Sequence, residues 1–133
     1  MTQHARGTFE VKMAPLAQDA PAGSTHMRMS LDKVYIGDLV AMGKGEMIAI
    51  RDGDLNSGAY VAIERVTGAL NGREGAFSLV HRGILNRTAQ ELSIAIVPDS
   101  GSGALTGISG VLDLKIADDV HAYDIAYTLP AAP

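Results

Sequence analysis

Alternation dominates this chain. Across residues 59–83, apolar and polar positions swap with period two on both sides of Asn71-Gly72, which marks strands with one buried face. Similar runs, rich in Val, Ile, Thr, Tyr and Met and bounded by Gly, Asn or Asp, occupy about 4–13, 26–36, 39–51, 88–98, 110–117 and 120–129. With 59–70 and 73–83 they predict an all-β domain of eight strands, a barrel or a sandwich.

The joints between runs predict hairpins. Gly37-Asp38, Asn71-Gly72, Asn86-Arg87 and Asp118-Asp119 tolerate the left-handed conformations of two-residue turns. Counting outward from each turn fixes which residues share a face. At Asn71-Gly72 the count sets Val66 opposite Phe77, Glu64 opposite Leu79 and Ala62 opposite His81. At Gly37-Asp38 it sets Tyr35 opposite Val40, Lys33 opposite Met42 and Met29 opposite Glu46. At Asn86-Arg87 it sets His81 opposite Leu92, and at Asp118-Asp119 Leu114 opposite Tyr123.

One apolar face emerges, carrying Met27, Met29, Leu31, Tyr35, Met42, Ile48, Tyr60, Phe77, Leu79, Ile94, Leu112, Leu114, Tyr123, Ile125 and Tyr127. The opposite face is polar, with Val61, Ile63 and Val80 as apolar exceptions suited to a subunit contact. Four ionisable residues, Lys33, Glu46, Glu64 and His81, fall on the apolar face. Buried charge is costly unless paired, which leaves two explanations. One is an internal network of Lys33 or Lys44 with Glu46 or Glu64, or a place at the barrel ends where these groups reach water. The other is a closed pocket in which Glu64 and His81, diagonal neighbours about 7–8 Å apart at Cβ, serve one ligand. Desolvation is then expected to raise the Glu64 pKa toward that of a general acid or base.

Two stretches break the rhythm. Residues 14–25, APLAQDAPAGST, are expected to cross one end of the sheet as a connector, with a lid as the alternative. Residues 100–110, SGSGALTGISG, are expected to form a turn or one short helical turn near 102–107.

Bulk properties narrow the function classes. With 133 residues the chain is expected to form a single domain over 1–133. Eleven Lys and Arg against 15 Asp and Glu give no electrostatic footprint for nucleic acid or an anionic membrane. No cysteine is present, so disulfides, thiolate catalysis and Cys-type zinc sites are excluded. MTQHARGTFEVK lacks the apolar core of a signal peptide, and no run approaches the roughly 18 apolar residues of a membrane helix. A cytoplasmic location is expected.

Several short motifs fail on their chemistry. GSGALTG lacks the Lys-Ser/Thr ending of a phosphate loop, and DGDLNSG, residues 52–58, lacks the sixth-position Gly and twelfth-position Glu of a calcium loop. His4, His26, His81 and His121 show no paired ligand spacing, so no metal is expected. Ser24 and Ser100 have no nucleophile-elbow context.

The stretches GTFEVK (7–12), KVYIGDL (33–39), ERVTGALNGREGAFSLVHRG (64–83), VPDSGSGALTGISG (97–110) and YDIAYTL (123–129) together resemble a family of small bacterial proteins of unknown function. That family's barrel is similar to that of allene oxide cyclase. The resemblance implies an eight-stranded antiparallel up-and-down barrel with an inner cavity, and a tendency to form homo-oligomers, dimers or trimers. It also implies a small hydrophobic molecule in the lumen, handled without a cofactor by a cyclase or isomerase; a carrier that does no chemistry, or a filled barrel acting through its oligomer surface, are the alternatives. Glu64, Phe77, Leu79, His81, Tyr35 and Tyr127 match family positions and take pocket-lining roles. The candidate catalytic pair is Glu64 and His81. The candidate ligand-binding residues are Tyr35, Glu46, Tyr60, Phe77, Leu79, Ile94, Tyr123 and Tyr127.

Overall fold

A computed structural model describes residues 1–16, 26–52 and 57–130. The tip of the 14–25 connector, with its lid alternative, and most of the 52–58 motif lie outside the described residues. Among those described, nine strands form one sheet: β1 (Gln3–Pro15), β2 (His26–Gly37), β3 (Leu39–Asp52), β4 (Ser57–Leu70), β5 (Arg73–Leu85), β6 (Gln90–Ile96), β7 (Ser102–Gly103), β8 (Ser109–Ala117) and β9 (Val120–Thr128). Eight close into an antiparallel barrel, because β4 pairs with β5 and β1 with β9. The two-residue β7 adds a short edge to β5 at Gly75 and Ala76. No described residue is helical: the 102–107 stretch closes instead as turns, with Leu105 and Thr106 donating to the carbonyls of Ser102 and Gly103.

The β4–β5 hairpin has the predicted register. Asn71 and Gly72 both have positive φ, 48° and 82°, the backbone of a turn whose twist suits a hairpin, and Glu64 stands opposite Leu79 and Ala62 opposite His81. Asp118 and Asp119 do the same for β8–β9, with Leu114 opposite Tyr123.

The β2–β3 register corrects the prediction. The last paired residues are Tyr35 and Ala41, and Lys33 stands opposite Gly43 instead of Met42. A slip of one residue reverses every side chain of a strand, so Met42 and Ile48 point outward, 56% and 50% exposed. Glu46 also faces out, where it accepts a hydrogen bond from Arg28 at 2.7 Å. The cause is a set of distant residues. The Tyr123 hydroxyl from β9 sits inside the turn, accepting from Leu39 N at 2.9 Å and donating to Ile36 O at 2.8 Å. The Asp38 carboxylate accepts from Arg6 N, and its carbonyl from Asn71 N. These long-range bonds open the turn beyond two residues.

At β5–β6 the connection has four residues. Asn86 Oδ1 accepts from the backbone N–H of Thr88 and Ala89, an Asx turn, and His81 consequently faces Ile94 instead of Leu92. A shift of two keeps the face unchanged. Across the remaining seam, β6 and β8 are joined by the single bridge Ala95–Val111.

The core gathers at the end of the barrel that carries the Asn71-Gly72 turn. Leu39, Leu70, Phe77, Leu79, Ile125 and Tyr127 are fully enclosed there, and the glycine-rich excursion adds Leu105 and Ile108. Arg65 pins that excursion by donating to Ser100 O at 2.7 Å.

Candidate active site

Midway along the lumen, β2, β4 and β5 bring together Lys33, Tyr35, Glu64 and His81. Inward parity on β4 and β5 sends Glu64 and His81 into the barrel, and the corrected β2–β3 register sets Gly43 opposite Lys33. Gly43 is required by close approach: a Cβ there would stand 2.1 Å from Glu64 Oε2. The missing side chain makes room for the carboxylate.

Glu64 is completely buried, with Lys33 and His81 7% and 4% exposed. Three donors converge on its carboxylate. Oε1 accepts from Lys33 Nζ at 2.9 Å and from His81 Nε2 at 3.0 Å, while Oε2 accepts a short hydrogen bond from the Tyr35 hydroxyl. Burial pushes the Glu64 pKa up, but the His81 hydrogen bond, the Lys33 charge and the Tyr35 hydrogen bond outweigh it, and the net direction is down. The expected raised pKa is thereby overturned: Glu64 is a permanent anion at neutral pH. Burial first, and the adjacent Glu64 charge second, push the Tyr35 hydroxyl far up, so Tyr35 remains a hydrogen-bond donor.

A carboxylate only accepts, so His81 donates through Nε2–H. Its other nitrogen, Nδ1, has no protein partner among the described residues. Among the described residues, every fully enclosed side-chain nitrogen or oxygen has a partner, so Nδ1 keeps some accessible surface. His81 lines an open hollow of about 170 Å³ together with apolar groups including Leu31, Met47 and Leu114 and with Lys33, Tyr60 and His121. A second hollow of about 230 Å³, reached past Met47 and Tyr60, continues toward Met27 and Leu85. Lys33 Nζ also stands 4.6 Å above the Phe9 ring, a cation–π contact, and Phe9 stacks against His121 at 5.1 Å.

Of the sequence candidates, Glu64, His81 and Tyr35 meet in one network, and Tyr60 lines the cavity. Phe77, Leu79, Tyr123 and Tyr127 pack the core below it, Ile94 stands beside His81 on β6, and Glu46 lies on the outer wall. Phe9 and Gly43 join the site without having been candidates. The inward glycines of the Gly43-Lys-Gly45 stretch were the available signal for a close approach. Larger hollows lie outside the lumen, including one of about 530 Å³ over Ile48, Val61, Ile63 and Val80, but none holds a comparable buried network. Among the described residues, no group of three or more His, Asp or Glu is placed to hold a metal ion, and no helix is long and apolar enough to cross a membrane.

Comparison with known proteins agrees with this architecture. A crystal structure of a protein with unknown function from Shewanella oneidensis MR-1 superposes with a TM-score of 0.91 at 36% identity, covering 99% of this chain and 100% of that one. Among curated proteins, none matches. The family model described as Protein of unknown function (DUF3224) matches residues 5–127, and the chain belongs to that family.

Proposed function

We propose that the barrel binds a small hydrophobic carbonyl compound in its lumen and moves a proton on it without a cofactor. The observation that carries this reading is His81, whose ring lines an apolar hollow with Nδ1 free of protein partners while a buried carboxylate holds Nε2. Glu64 fixes the tautomer and stabilises the imidazolium that forms when Nδ1 takes a proton, the same division of labour as in a carboxylate–histidine dyad. Lys33, held beside the same carboxylate, steadies negative charge developing on the substrate oxygen. Met47, Leu31 and Tyr60 exclude water and hold the apolar body.

The test is deuterium wash-in at the carbons flanking the carbonyl of cyclohexanone in D₂O, followed by NMR. The protein should accelerate exchange over buffer, and His81→Gln should remove the acceleration while leaving the fold intact by circular dichroism. Ligands that bind without any accelerated exchange would instead make the protein a carrier.

We also propose that the protein forms a homo-oligomer through its outer wall. Ile48, Val61, Ile63 and Val80 stand exposed on adjacent strands, with Ile48 opposite Val61 and Ile63 opposite Val80. A second copy seated there would cover them. Light scattering of the wild type against Ile63→Lys reads this directly: a monomeric wild type removes it.

A further inference from the structure

Charge balance in the lumen says what kind of head group it takes. With His81 neutral, the Lys33 ammonium and the Glu64 carboxylate cancel. An anion entering alone would leave a net charge against the buried Lys33–Glu64–His81 network, which the low dielectric around those three groups disfavours. A proton arriving with it restores neutrality, and the structure has a place for that proton, His81 Nδ1. Lys33 has donors to spare beyond the one given to Glu64, and it borders the same cavity as His81.

We propose that the lumen takes an apolar molecule bearing one anionic oxygen, a carboxylate or an enolate, seated between Lys33 Nζ and His81 Nδ1, and that His81 takes up one proton as it binds. This binding mode rests on the lumen reading above and deepens it, since an enolate facing imidazolium and ammonium is the charge pattern of the proton-transfer intermediate. A bound carboxylate imitates that state.

The surroundings leave His81 Nδ1 as the acceptor for that proton, since Nε2 is held by Glu64. Facing it are Glu64 and Tyr60 from β4, Lys33 and Tyr35 from β2, and His121 from β9. The other inward neighbours are uncharged: Phe9 from β1, Gly43 and Met47 from β3, Ile94 from β6 and Leu114 from β8. Glu64 ionises below the usual carboxylate range, so it does not change charge near neutrality. His121 is the competing imidazole, and it stacks on Phe9 without touching Glu64.

Cyclohexanecarboxylate and cyclohexylmethanol share one body and differ in the head group. Calorimetric titration of both into the full-length protein, from about pH 5.5 to 8.5, separates the possibilities. The carboxylate should bind more tightly than the alcohol and weaken by up to about tenfold per pH unit on the alkaline side, while the alcohol stays flat. Repeating the carboxylate titration in buffers of different ionisation enthalpy should show about one proton taken up, a readout that needs no variant. His81→Gln, which keeps a donor for Glu64, should flatten the pH dependence, and His121→Gln should leave it in place. Equal binding of the two probes, a flat carboxylate profile, or a slope removed by His121→Gln overturns the head-group proposal while the lumen reading stands. Binding of neither probe overturns both.

Discussion

The two halves of this barrel are drawn from the same strands yet behave as different materials. Toward the Asn71-Gly72 turn, Phe77, Leu70, Leu39 and Tyr127 fill the lumen, with Leu105 and Ile108 added at the end. Toward the opposite end, the inward positions of the same strands become Met47, Tyr60, Val11 and Leu114, partly exposed around a hollow. The Glu64 network is the partition. Close packing is concentrated on one side of it and open space on the other, so a single fold sets the His81 ring beside a hollow without loosening its core.

The sharpest way to break this contrast is truncation on the filled side. Phe77 is fully enclosed, so Phe77→Ala should cost about 3–5 kcal/mol in urea denaturation while ligand binding to the remaining folded protein is little changed. A cost under about 1 kcal/mol would mean that the filled half is not the stabilising one.

Next in size is the partition itself. Gly43→Ala puts a methyl where Glu64 Oε2 lies, and should cost about 1–3 kcal/mol, with loss of carboxylate binding. The variant measures how closely β3 must approach the carboxylate.

Acid tests the partition without altering its shape. The Glu64 pKa lies below its free value of 4.5, so the folded state gains stability from the ionised form above that value. The gain is lost as pH falls through the lower, folded pKa. The wild type should therefore lose stability on the acid side of about pH 4.5, and Glu64→Gln, less stable at neutrality, should show a shallower decline in the same window by thermal melting.

The smallest stability effect is expected on the cavity side. Met47→Ala enlarges the hollow and should cost about 1 kcal/mol or less, but it should change which ligand bodies fit, read as a shift in relative affinity between cyclohexanecarboxylate and a bulkier analogue. Stability and binding thus respond in opposite order along the barrel axis.

Much of this was legible in the sequence. Where a turn is built from its own residues, as at Asn71-Gly72, counting placed Glu64 and His81 on one face and two residues out of register. Where a turn is built by visitors, counting failed. Nothing local to Gly37-Asp38 announces that Tyr123, some eighty residues away, will sit inside it, or that Arg6 and Asn71 will hold Asp38, and with the turn so opened β3 is reversed and Glu46 moves to solvent. Asn86 shows the milder case, in which a side chain lengthens the loop by two and parity survives. Charge partners were harder again. Lys33 was visible as an inward cation, but the choice of Glu64 over Glu46 depended on the β3 register. The lowered pKa of Glu64 depended on three donors converging from two strands.

Mechanically, the seam between β6 and β8 is a joint. A closed barrel is a hoop whose staves are clamped along their length, and here one clamp is reduced to the single bridge Ala95–Val111. Below that bridge lies the filled half, and above it the two strands run to Gln90 and Ala117 beside Leu114 and the cavity with no ladder between them. Widening the hoop at this joint breaks no pairing in any hairpin. A change in girth would therefore have one bridge to break here, against seven or more paired positions at every other seam of the barrel.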